Sequence, residues 1–196
     1  MSAQTTFVIH ALETHPSRLE KEAIIEAEAL AGNDEFFAGV RLALDPMITF
    51  GVKKIPKHSG PDGQGLSWTT FRALADNLAR RELTGDAAKT AIELCLSVAK
   101  QREWNDWYMR ILAKDLRCGF SEVTVNKVIN KLKPVKALKP EYLIPVFECQ
   151  LAHDSTNHES KVCGKKLIEV KLDGVRILTV VYPDGQVNQY SRNGKE

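Results

Sequence analysis

The sequence predicts an α+β chain of more than one domain: an all-α part over residues 1–133, then a linker and the first β-strands of a second domain over 134–196. Three observations carry this. Apolar residues recur at three-and-four spacing through the first two thirds, as at Trp68, Phe71, Leu74, Ala75 and Leu78. At Lys133-Pro134 the character changes, with Pro134, Pro140 and Pro145 spread through an apolar segment that suits an extended linker. From Leu167 onward the period becomes two, with Ile168, Val170 and Leu172 alternating with Glu169, Lys171 and Asp173.

Each element follows from its residues. Phe7–Glu13 reads as a first helix, and Ser17–Ala31 as a second, with Ser17 and Glu20 spaced as a capping box and Gly32-Asn33 ending the run. A third covers Asp34–Leu44 and is broken by Asp45-Pro46. The stretch Gly51–Gly65 is loop by composition and basic at Lys53, Lys54 and Lys57. Ser67 can cap Trp68–Glu82, and a further helix is expected from Gly85 to Arg102. Trp104, Trp107, Tyr108, Ile111 and Leu112 continue the rhythm to Leu116, as core residues of the helical part rather than stacking platforms. After an Arg117–Phe120 turn, Ser121 caps Glu122–Leu132. In the second part, Val175–Tyr182 and Gln186–Ser191 read as strands joined by a Pro183-Asp184-Gly185 turn.

The composition excludes several classes. With 43% hydrophobic and 27% charged residues in 196, the chain can bury a core and is not a disordered tail. No apolar run approaches the roughly 20 residues needed to cross a bilayer, and no leader is visible, so a cytoplasmic protein without membrane contact is expected. Four scattered cysteines read as free thiols of a reducing compartment. The net charge of +2 conceals a division: −5 over residues 1–50, +8 over 51–140 and −1 over 141–196. A basic middle between acidic flanks fits a polyanion-binding face, although a solvated helical surface gives the same count.

The period-two reading puts Glu169, Lys171 and Asp173 on one face of a strand. On spacing alone that face is an ordinary polar surface. If it floors a pocket, Lys171 lies between two carboxylates, Gly174 permits close backbone approach, and Arg176 supplies a fixed cation. The run Glu169-Val170-Lys171-Leu172-Asp173-Gly174-Val175-Arg176 resembles the Lys-x-Asp-Gly-x-Arg motif of covalent nucleotidyltransferases, and Ser191-Arg192-Asn193-Gly194-Lys195 resembles the Ser-Arg-x-Gly-Lys element that follows it in DNA ligases. Leu83-Thr84-Gly85-Asp86-Ala87-Ala88 and the run from Ala113 to Ser121 are similar to segments in the helical DNA-binding domain of ATP-dependent DNA ligases, closest to those of T-even-like bacteriophages. On this resemblance residues 1–133 are a helical DNA-binding domain and 134–196 the linker and N-terminal part of a nucleotidyltransferase (adenylation) domain.

The resemblance implies a monomeric ATP- and Mg²⁺-dependent DNA ligase that acts on nicked double-stranded DNA in the cytoplasm, that of the host cell if the source is a phage. Lys171 is its nucleophile, which must shed a proton because an ordinary lysine with pKa near 10.4 is protonated at neutral pH. Glu169 and the main chain at Val170 read the adenine, Asp173 meets the ribose, Arg176 and Arg192 hold ribose and phosphate oxygens, and Lys195 joins the DNA contacts. The phosphate-binding lysines and metal-binding carboxylates of the family are not found before Glu196, so the chain reads as an N-terminal portion without full activity alone.

The Leu116–Ser121 turn offers a DNA contact on physical grounds. Free N–H groups at the start of the helix capped by Ser121 favour a phosphate, Gly119 serves the turn, and Lys114, Arg117 and Lys127 surround that end with positive charge. Such contacts position without reading sequence. An ordinary solvent-facing turn is the bland alternative. Cys149, His153, His158 and Cys163 have zinc-ligand chemistry but not zinc-site spacing, so no metal site is assigned. An RNA ligase or capping-type nucleotidyltransferase, or a non-catalytic DNA-binding module, are the other readings.

Overall fold

The structure is a computed structural model that describes residues 2–146, 156, 163–165, 167, 174 and 177–191. The chain forms two compact units, Met1–Val146 and Phe147–Glu196. The first is helical: α1 (Ser2–Thr14), α2 (Arg18–Ala31), α3 (Asp34–Leu44), α4 (Trp68–Ala79), α5 (Gly85–Val98), α6 (Gln101–Glu103), α7 (Met109–Leu112) and α8 (Glu122–Leu132). In the second, β1 (Ile177–Val181) and β2 (Val187–Ser191) pair antiparallel, Thr179 opposite Gln189, around the expected Pro183–Gly185 turn. Among the described residues no helix is long and apolar enough to cross a membrane.

Helix boundaries follow local chemistry. Ser67 caps α4 as expected, its hydroxyl accepting from Thr70 N–H at 3.1 Å. Asn33, read from sequence as the end of α2, instead caps α3 by accepting from Phe36 N–H at 3.1 Å, while Gly32 ends α2 at φ +73°. The Ser17 side chain makes no cap hydrogen bond, so the expected capping box does not form. The helix expected through Arg102 stops at Val98. Asp62 accepts from Gln101 N–H at 2.6 Å and Glu103 from Lys100 N–H at 3.3 Å, which starts a new helix there.

The core centres on the aromatic run between α6 and α7, where Trp104–Tyr108 form a π-helical turn. Trp104, Trp107, Tyr108 and Ile111 are fully buried, as the core reading of the tryptophans required, and Trp68 is half-buried against them. Phe71 stacks on Tyr108 with centroids 4.2 Å apart, and Trp107 lies so close to α3 that a Cβ on Gly39 would meet its ring at 2.2 Å. Only glycine fits there. The aromatics also order the irregular segment between α3 and α4: Trp104 Nε1–H donates to Pro56 O and Tyr108 O–H to Leu66 O, both at 2.9 Å, and Asn105 pairs with the main chain of His58 in both directions. A loop of that length stays on the surface of the unit because its polar backbone groups find side-chain partners.

Two further contacts frame the site. Along the seam between α2 and α8, Lys127 pairs with Glu22 at 2.8 Å and Lys131 with Glu26 at 3.2 Å, and beyond α8 Lys139 pairs with Asp34 at 2.5 Å. The segment expected to be an extended linker packs on the helices. Tyr142 stacks on Phe37 with centroids 4.1 Å apart and donates to Asp34 at 2.7 Å, and Ile144 exchanges two 2.9 Å hydrogen bonds with the Asn126 side chain. Burial of Tyr142 and Ile144 explains why this stretch adheres despite its prolines.

Candidate nucleic-acid interface

The connection from α7 to α8 is built from residues in unusual backbone conformations. Lys114, Arg117 and Gly119 adopt φ of +60°, +57° and +62°. For a lysine and an arginine this left-handed geometry costs about 1 kcal/mol or more each, so other contacts must hold it. They are visible. The Lys114 ammonium donates to Leu42 O at 2.9 Å and Asp45 O at 2.6 Å, closing the C-terminal end of α3, and lies 5.9 Å from the centre of the Phe50 ring. Arg110 donates to Leu116 O at 3.0 Å and pairs with Glu13 at 3.0 Å. Lys21, on α2, donates to Cys118 O at 2.5 Å.

The turn lines a groove of about 730 Å³, bounded by α2 through Arg18 and Lys21 and by α8 through Val123 and Thr124. The main-chain N–H groups from Cys118 to Val123 have no hydrogen-bond acceptor among the described residues. Ser121 is the N-cap residue by backbone geometry (φ −122°, ψ 177°), but its hydroxyl caps nothing. An anion at this helix start therefore meets unpaired donors and the positive end of α8.

The residues expected to bind DNA fall into distinct places. Arg117 is exposed, with only a loose 3.9 Å pairing to Asp115. Gly119 and Ser121 line the groove. Lys127 is exposed but engages Glu22, and its hydrogen bond, followed by that of Arg18, holds the Glu22 carboxyl below the usual range. Lys114 lines the groove with its ammonium turned onto carbonyl oxygens, and burial pushes its pKa down to about 8. Burial pushes the neighbouring Cys118 thiol up to about 11, which makes it an inert packing residue. The basic loop residues Lys53 and Lys54 line a separate recess of about 590 Å³ with Gly85 and Lys89.

Glu169, Val170, Lys171, Asp173, Arg176, Arg192 and Lys195 lie outside the described residues, as do Cys149, His153 and His158. Within the nucleotide motif only Gly174 is described, and it is exposed with open space where a side chain would project.

Lys21 and Arg110 went unremarked in the sequence. Lys21 carried a usable signal: with Ile25 and Ala29 it occupies the i, i+4, i+8 stripe of α2 that the structure buries. A lysine on an apolar stripe needs an internal acceptor, and Cys118 O is that acceptor.

No family model and no curated protein matches the chain. Solved structures do match it, among them two named Pmar-Lig_Pre. and Pmar-Lig_PreS3. Each is 51% identical over 97% of this chain, with a TM-score of 0.80. The chain spans 42% of the length of each. Their shared name points to a ligase-like protein, an enzyme of ligase type.

Proposed function

We propose that the chain serves an ATP-dependent DNA ligase, supplying a duplex-backbone contact through the α7–α8 groove and the nucleophile through Lys171. The observation that carries the reading is 51% identity, over nearly the whole chain, to two ligase-named structures. The paired motifs at Glu169–Arg176 and Ser191–Lys195 agree with it.

In this reading the deprotonated Lys171 amine attacks the α-phosphorus of ATP. A nitrogen–phosphorus bond forms, the bond to the departing pyrophosphate breaks, and the amine proton goes to solvent. The AMP passes from Lys171 to the 5′-phosphate at a nick, and the 3′-hydroxyl then displaces it to close the phosphodiester. Mg²⁺ supplies charge neutralisation on the phosphates. Glu169 and the Val170 main chain orient the adenine, Asp173 the ribose, and Arg176 and Arg192 the phosphate oxygens, while Lys195 joins the DNA contacts. At the groove, Arg117 and the N–H groups near Gly119 and Ser121 meet phosphates whatever the sequence, which suits an enzyme that accepts any nick.

The test is direct. The full-length protein incubated with ATP and Mg²⁺ is expected to carry one AMP by intact mass, lost on mild acid treatment as the phosphoramidate P–N bond is hydrolysed to free lysine and AMP, and absent in Lys171→Ala. It is expected to seal nicked DNA in preference to nicked RNA. An adduct that persists in Lys171→Ala contradicts the nucleophile assignment, and sealing of RNA alone contradicts the substrate.

A further inference from the structure

We propose that Lys21, a residue of α2 that is itself buried, is a positioning residue for the phosphate contact: it fixes the Cys118–Gly119 peptide so that the Gly119 N–H faces the groove. The proposal rests on reading the α7–α8 groove as the contact to DNA.

The geometry is that of one peptide plane. In a trans peptide the C=O of one residue and the N–H of the next point in opposite directions. Lys21 Nζ holds Cys118 O at 2.5 Å, so the Gly119 N–H on the same peptide is directed away from the Lys21 ammonium. That N–H has no acceptor among the described residues, and Gly119 lines the groove. The Leu116–Arg117 peptide is held in a comparable way but differs at its N–H. Arg110 holds Leu116 O in the same manner, but the Arg117 N–H that follows is consumed by the Asp115 carboxylate at 3.0 Å. Gly119 is thus the peptide whose carbonyl is pinned and whose N–H stays available.

Glycine is favoured here on two counts. Its φ of +62° favours a residue without Cβ, and a Cβ would come within 2.8 Å of Lys21 Nζ. Lys21 is only 8% exposed and its ammonium is engaged by Cys118 O. This separates it from Arg117, which is exposed and able to displace a counterion directly.

Titration of a fluorescent nicked duplex over a range of NaCl concentrations tests the assignment. Lys21→Met, which keeps length and loses the donor, is expected to weaken binding by about tenfold at every salt concentration and leave the slope of log K against log salt unchanged. Arg117→Ala is expected to lower that slope by about one. Gly119→Ala attacks the same peptide from the groove side, and it too should weaken binding with the slope intact, which decides the matter if Lys21→Met does not fold. Unchanged affinity in folded Lys21→Met or in Gly119→Ala, or a reduced slope in Lys21→Met, overturns the positioning role while the Arg117 effect stands. If Arg117→Ala alters neither affinity nor slope, the groove reading fails and this proposal with it.

Discussion

Two sets of basic side chains in the helical unit are spent in opposite ways. Around the α7–α8 turn, Lys21, Lys114 and Arg110 give hydrogen bonds to main-chain carbonyls at short range and with little solvent. Along the seam from α2 to α8 and just beyond it, Lys127, Lys131 and Lys139 face carboxylates, each with more than half of its own side chain exposed. The difference teaches where charge does structural work. A buried cation on a carbonyl fixes the direction of a peptide, whereas an exposed ion pair mostly cancels two charges that water already stabilises.

The comparison breaks most visibly at Arg110. Replacing it with Met leaves Leu116 O with only the weak Cys118 thiol donor at 3.1 Å and takes the guanidinium from the Glu13 carboxylate, and urea denaturation is expected to show a loss of about 2–3 kcal/mol, given that Glu13 retains some solvent. An effect no larger than that of a seam lysine would erase the distinction.

A pH experiment sharpens it at Lys114. The folded chain holds this lysine near 8, below its ordinary value, so between about 8 and 10.5 the unfolded state binds more protons and rising pH favours folding. Below pH 8 both states are protonated and the slope vanishes. Cys118, raised to about 11, acts in the opposite direction above about 9. It is present in both proteins, so wild-type stability minus that of Lys114→Met isolates the lysine. That difference is expected to climb from pH 8 to 10, and a flat difference contradicts the burial of the ammonium.

The smallest effect belongs to the seam. Lys131→Ala should cost less than about 1 kcal/mol in thermal or urea unfolding and less again in high salt, because both members of the pair with Glu26 are partly hydrated.

The same division explains what the sequence could tell. The spacing that marks α2, α3 and α8 is local and strong, and their boundaries are close to those read from it. The turn before α8 was legible from Gly119 and Ser121. The direction of Lys114 was not, because a side chain four methylenes long reaches either the groove or α3, and only the packed position of Leu42 O and Asp45 O decides. Asn33 has the chemistry to end one helix and begins the next, a common ambiguity when two helices share a two-residue joint. The packing of Tyr142 and Ile144 was hidden by the prolines around them, although a tyrosine and an isoleucine between breakers are candidates for burial. The +8 of the central segment likewise overstated the free charge, since Lys114 and Arg110 are turned inward and Lys127, Lys131 and Lys139 face carboxylates.

The central claim is that duplex DNA meets the groove beside Arg117 and not the seam. Binding of a nicked duplex to wild type, Arg117→Ala and Lys131→Ala, each measured across salt concentrations, tests it most directly. Weaker binding and a salt slope reduced by about one are expected for Arg117→Ala, with Lys131→Ala indistinguishable from wild type. Equal losses in the two variants, or a loss confined to Lys131→Ala, would contradict it.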